Sequence, residues 1–188
     1  MLPVLEIPAI RERVPAFSVA NYHRLFEIGM LSPKLELIRG VLVEQESKCP
    51  FHSTIVGLLH DHLLPVVPAG WSARQEQPLT FSDSEPEPDI AVVRGTAQDF
   101  FTAHPETAEL VIEVAVSSEA LDRLKFELYA EAGVRECWLV LAEERIVERH
   151  TEPQGAAYQR IERITFPEAL ESTVLPGLML PPAGLLPG

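Results

Sequence analysis

Three residues stand where packing alone would place something else. Asp89 joins a proline-rich turn, "EPEPD", to an apolar segment, "IAVVR". Glu113 interrupts the apolar run "LVIEVAV", where an ionised carboxylate costs several kcal/mol unless it is paired. Lys125 lies in "SEALDRLKFELYAEAG", about 40° from Leu121 on a wheel advancing about 100° per residue. Each has an ordinary reading: a turn aspartate, an ion-paired or outward-facing glutamate, a lysine snorkelling beside an apolar stripe. Together they compose a chemistry. If the strands carrying Asp89 and Glu113 are neighbours, both carboxylates reach one divalent cation. Hard oxygen ligands suit Mg²⁺ or Mn²⁺, which would polarise a phosphoryl oxygen and activate a water. Lys125, with Tyr129 one turn on, would orient that water or stabilise charge in the transition state.

The elements that must position these groups are legible in the patterning. "SVANYHRLFEIG" reads as a helix with Ser18 as N-cap and Tyr22, Leu25, Phe26 and Ile28 near helical spacing. "KLELIRGVLVEQE" reads as a hairpin turning at Arg39-Gly40. "HSTIVGLLHDHLLPVV" reads as a helix closed by Pro65, with Ile55, Val56, Leu59 and Leu63 facing the core. "SARQEQPLTF" and "DIAVVR" are expected strands, "TAQDFFTAHPE" a loop or short helix, and "ELVIEVAV" a buried strand. The helix carrying Lys125 ends at Gly133, with Leu121, Leu124, Leu128 and Ala132 on one expected face; Ser117 and Ser118 begin it, Ser118 as N-cap. "ECWLVLA" and "RIVERHT" are two further strands expected to pair, and the proline-broken tail from Ser172 is expected to lie over the core. This order predicts an α/β fold with a mixed central sheet flanked by helices: an arm over residues 1–17, then one domain over 18–188.

With 188 residues, 46% of them hydrophobic, the chain is long enough for a core without staples. Its 28 Asp and Glu against 15 Lys and Arg give a formal net charge of −13, which argues against a surface built on many phosphate contacts. Cys49 and Cys137 match no zinc spacing and read as reduced thiols of a cytoplasmic protein. The first 17 residues lack the apolar run of a signal peptide, and no stretch approaches the ~20 apolar residues of a membrane span.

"PEPDIAVVRG", followed by "AELVIEVAVSSEALDRLKFELYAEAGVRECWLV", resembles the Uma-type (Uma-two) family of restriction endonucleases, within the PD-(D/E)XK nuclease superfamily. "KLELIRGVLVEQESKCPFHSTIV" is similar to the family's N-terminal hairpin and helix, and "LPGLML" to its C-terminal ending. The resemblance implies a restriction-endonuclease-like core, DNA as substrate, and Mg²⁺ or Mn²⁺ bound by Asp89 and Glu113. The superfamily lysine belongs two residues after the glutamate, where this chain has Ala115; the resemblance implies its transfer to Lys125. Glu44 and His52 match acidic and histidine positions that would complete the site. Four features depart from the family: Val116 for an acid, Cys137 for tyrosine, Leu141 for Asp or Asn, and a shortened interval from Asp122 to Lys125.

Other constellations are weaker. His52, His60 and His62 lack the i, i+4 pairing of a zinc helix, and no phosphate-binding glycine loop or serine elbow occurs. Arg145, Arg149, Arg160 and Arg163 read as a basic strip or as a face paired with Glu143, Glu144, Glu148 and Glu162. The functional expectation is a metal-dependent endonuclease acting on DNA, possible as a homodimer. The alternative is a nuclease-fold domain, weakly active or inactive, that binds a partner protein.

Overall fold

The computed structural model describes residues 7–45, 48–116 and 119–186. The expected N-cap at Ser118, with Ser117, therefore lies outside the described residues, as does the start of the expected arm. The chain opens with α1 (Pro8–Arg11) and α2 (Val19–Glu27), where the Ser18 side chain accepts from Asn21 N–H as N-cap. Of the apolar residues at helical spacing here only Tyr22 is buried, while Phe26 and Ile28 stay exposed. β1 (Leu35–Ile38) and β2 (Val41–Glu44) form the expected hairpin. Arg39 and Gly40 have φ of 52° and 72°, the left-handed pair of a type I′ turn. A Cβ on Gly40 would meet that of Ala16 at 2.6 Å, so glycine is required here on two counts.

α3 (Pro50–Leu63) buries Ile55, Val56, Leu59 and Leu63, as its periodicity predicts, and Leu64–Val66 follows as a 3₁₀ turn at Pro65. β3 (Trp71–Gln75) is shorter than "SARQEQPLTF" suggests, because Glu76 takes a φ of 51° and turns the chain out of the sheet. β4 (Ile90–Arg94), β5 (Leu110–Ala115), α4 (Glu119–Glu131), β6 (Glu136–Leu141) and β7 (Ile146–Gln154) follow. β8 (Ala157–Thr165) had no counterpart in the sequence reading: "AYQRIERIT" alternates weakly, and its outward positions are charged. β9 (Leu170–Glu171) and β10 (Met179–Leu180) make a small separate pair.

The central sheet has the order β3-β4-β5-β6-β7-β8, antiparallel throughout except for the parallel pair β5–β6. A parallel pair needs a crossover, and α4 is that crossover. Strand alternation divides the core into two. Ile90, Val92, Ile112, Val114, Trp138 and Val140 pack on the α3 side, and the C-terminal leucines 175, 178, 180, 185 and 186 complete that layer. Ala91, Val93, Val111, Ala115, Cys137 and Leu139 pack on the α4 side against Phe126 and Tyr129. The tail therefore covers the core as expected, and its leucines are used within the chain.

The face of α4 differs from expectation. Leu124 is 39% exposed and Leu121 and Ala132 are only partly covered, whereas Lys125, Phe126, Leu128, Tyr129 and Ala130 are buried. The helix is rotated so that residues 122, 125, 126 and 129 share the inner stripe. Aromatic burial at Phe126 and Tyr129 outweighs that of two leucines, and Lys125 is carried to the centre of the buried face rather than its margin.

Candidate active site

The register of β4 on β5 places Ile90 opposite Ile112, so Asp89 falls beside Glu113. By alternation both belong to the α4 side with Ala91 and Val111. Asp89 N–H donates to Glu113 Oε2 at 3.1 Å, and Val114 N–H donates to Asp89 Oδ2 at 2.8 Å. From α4, the Tyr129 hydroxyl donates to Glu113 Oε1 at 2.6 Å, and Lys125 Nζ lies 3.7 Å from the same oxygen. From α3, His52 Nε2 reaches Asp89 Oδ2 at 3.1 Å. Asp89, Glu113, Lys125, His52 and Tyr129 thus meet, although they come from the mouth of β4, from β5, from α4 and from α3.

Glu44 does not join them. It is exposed at the end of β2 and does not line the cleft. Directly opposed strand residues share a face: Glu44 pairs with Leu35, and Glu36 pairs with Val43. The acid that this hairpin contributes is therefore Glu36, one pleat over. Lys125 Nζ donates to Glu36 Oε1 at 3.0 Å, as does Glu87 N–H at 2.9 Å, while Glu36 Oε2 is buried without a hydrogen-bond partner.

The resulting cleft, of about 130 Å³, is also lined by Gln45, Lys48, Glu87, Val114–Val116 and Asp122. Lys48 lies 3.1 Å from Glu76 and 3.5 Å from Glu87. His52, Glu76 and Asp89 offer ligand atoms within 4.8 Å of one another, close enough to hold a metal ion. The sequence reading missed Glu36, Lys48, Glu76, Glu87 and Asp122. Asp122 had a usable signal, since it precedes Lys125, Phe126 and Tyr129 on one helical stripe; the others depend on loops and on the hairpin's placement.

The electrostatics are those of crowded negative charge. Burial first, then Asp89 and Asp122, push the Glu113 carboxyl up to about 8, against the opposing pull of Lys125 and the Tyr129 hydrogen bond. Asp122 is pushed up to about 7, again by burial first and then by Asp89 and Glu36, with Lys125 opposing. Burial works to lower the Lys125 ammonium, but Glu113, Glu36 and Asp122 outweigh it and hold it above its ordinary value. The shifts of Glu113 and Lys125 do not mirror one another, because a close ion pair alone would depress the acid. The nearby carboxylates are what hold the Lys125 ammonium up, and burial is the leading cause that raises Glu113 and Asp122. His52 is raised overall: burial lowers it, but its contact with Asp89 prevails.

Away from the cleft, the arginine strip is largely paired: Arg149 with Glu162, Arg160 with Glu162 at 3.1 Å, and Arg163 with Glu144 at 3.5 Å. Cys49 and Cys137 are free thiols. Among the described residues no helix is long and apolar enough to cross a membrane.

Comparison with known proteins sets this geometry in context. A family profile, Uma2, described as "Putative restriction endonuclease", matches residues 19–183. A crystal structure from Anabaena variabilis, titled as that of "a putative nuclease belonging to DUF820", superimposes with a TM-score of 0.63 at 22% identity. The match covers 79% of this chain and 87% of that one, and at this identity it speaks to the fold. No curated protein matches.

Proposed function

The chain belongs to the Uma2 family, and on that premise we propose that it is an endonuclease hydrolysing DNA phosphodiester bonds with Mg²⁺ or Mn²⁺ held by Asp89 and Glu113. The observation that carries this reading is the meeting of two carboxylates from adjacent strands with the Lys125 ammonium in an open cleft. The residues fit a hard divalent cation. Each carboxylate retains acceptor capacity beyond its present bonds, Glu36 Oε2 is buried and unpartnered, and the Glu113 and Asp122 carboxyls, raised by burial and by neighbouring acids, are a crowding that a bound cation would relieve.

When bound, the cation supplies Lewis acidity toward a phosphoryl oxygen and lowers the pKa of its water. Lys125, held as an ammonium, donates to developing negative charge and serves as an electrostatic stabiliser rather than a base. Glu36 anchors that ammonium, Tyr129 fixes one oxygen of Glu113, and His52 holds Asp89. Ala115, standing where the superfamily lysine belongs, leaves its role to the α4 residue.

The test is cleavage of supercoiled plasmid with Mn²⁺ or Mg²⁺. Wild type should nick the plasmid, a chelator should abolish nicking, and Asp89→Ala or Glu113→Ala should remove it; equal turnover in both variants would sink the site. A nuclease fold that instead binds a partner protein is favoured by the net charge of −13, and it predicts no cleavage of any substrate. We place the protein in the cytoplasm, where its thiols stay reduced. We carry a homodimer as the expected assembly, with light scattering as the check.

A further inference from the structure

Beside the cleft runs a larger groove of about 560 Å³, within the size range of small-molecule sites, which shares Glu36, Gln45 and Glu87 with it. Its walls include Tyr22, Phe26 and Phe101. Phe101 is 83% exposed and Phe26 47%, so two aromatic rings are held in water beside a reaction site.

The groove's wall is backed by an unusual cation. Arg74 on β3 is only 7% exposed, yet no carboxylate lies within ion-pair range of it among the described residues, and its Nε has no hydrogen-bond partner. Its Nη2 meets Pro78 O at 3.3 Å and His104 Nδ1 at 3.1 Å, and its guanidinium lies 5.2 Å from the Phe100 ring centre. Pro78, Phe100 and His104 all line the groove. A guanidinium can only donate, so His104 Nδ1 accepts and the imidazole carries its proton on Nε2. Burial first, with Arg74 adding to it, lowers the His104 pKa and keeps the ring neutral near pH 7. His104 is thus a donor of fixed tautomer, polarised from behind, whose Nε2–H has no partner among the described residues.

The rim carries Glu27 and Glu106, which accept hydrogen bonds and repel phosphate. Aromatic faces, one fixed N–H donor and carboxylate acceptors match a nucleobase: a π-face, a keto oxygen or ring nitrogen, and an exocyclic amine. The chain's charge of −13 points the same way, since it argues against affinity built on many phosphate contacts and leaves more of it to contacts with bases. A base inside a duplex presents no free face to such a groove.

We propose that this groove receives an unpaired nucleobase of the substrate strand, stacked on Phe101 and held by His104 Nε2–H, so that the enzyme acts on single-stranded or locally opened DNA. The inference rests on the nuclease reading above and names the substrate class of the same site.

The test is fluorescence anisotropy with labelled DNA and no divalent cation, so that nothing is cut. The probes are a single-stranded oligonucleotide, its blunt duplex, and a strand of the same length made of abasic sites. The single strand should bind wild type more tightly than the duplex does. Phe101→Ala, which removes a ring lying mostly in solvent, should weaken single-strand binding about tenfold and leave binding of the abasic strand unchanged; His104→Gln should do the same. Equal affinity for single strand and duplex, or equal weakening of the normal and abasic strands, would overturn the proposal. If wild type nicks plasmid but its single-strand binding ignores Phe101, the groove inference fails and the nuclease reading stands. Phe101-dependent binding without metal-dependent cleavage supports the groove and defeats the nuclease reading. Failure to bind any of the three probes overturns the groove inference, and plasmid nicking with metal then decides the nuclease reading separately.

Discussion

Replacing Glu113 with glutamine isolates the electrostatics of the cleft from catalysis. In the metal-free protein, burial and the neighbouring Asp89 and Asp122 push the Glu113 carboxyl from 4.5 up to about 8. The folded state then holds a proton that the unfolded chain releases. Its contribution to stability is fully present below pH 4.5 and is lost as the pH rises through about 8. At ~1.4 kcal/mol per pH unit the whole shift would correspond to about 5 kcal/mol. Because Asp122 titrates in the same range and its charge is part of what raises Glu113, about 2–3 kcal/mol is the expected contribution from this one site. The assay is urea unfolding with a chelator present, at about pH 5 and about pH 8. With a slope of about 2 kcal/mol per molar urea, the wild-type midpoint should fall by about 1 M more than that of Glu113→Gln. A constant offset between the two is also expected, because glutamine's single amide oxygen cannot accept from both Asp89 N–H and the Tyr129 hydroxyl as the two Glu113 oxygens do. Saturating Mn²⁺ should flatten the wild-type slope by stabilising the ionised form. Parallel pH profiles for wild type and variant in chelator would refute the reasoning, since they would mean that Glu113 is not the group holding the proton.

Two further outcomes follow from packing. Lys125→Met removes the cation held between Glu36 and Glu113, leaving buried carboxylates uncompensated. It should destabilise the metal-free protein by about 3–5 kcal/mol, partly recovered at low pH, as read by thermal unfolding across pH. Leu178→Ala, in the tail segment that completes the α3-side core, should cost about 2–5 kcal/mol, and a loss under 1 kcal/mol in urea titrations would mean that the tail is not integral to that layer.

How much of this was legible in the sequence can be judged element by element. α3 was, because four aliphatic residues recur on one helical face and proline closes the run. The hairpin was, because Arg39-Gly40 offers the backbone that its turn requires. β5 was, because a six-residue apolar strand admits few alternatives, and Glu113 was conspicuous for the same reason. β8 was not, since an edge strand with charged outward positions reads like a loop. The face of α4 was misjudged because leucine spacing was weighed above the larger burial that Phe126 and Tyr129 bring.

The sequence by itself therefore determined which residue types could perform the chemistry: an aspartate at a strand mouth, a glutamate inside an apolar strand, a lysine on a packed helix. Only the tertiary structure decided that β4 and β5 are neighbours with Asp89 in register beside Glu113. It also decided that Glu36 rather than Glu44 meets Lys125, and that Arg74 stands buried behind His104. Local propensity depends on residues a few positions apart, whereas these pairings bring together residues 24 to 89 positions apart. They are fixed by how whole layers pack.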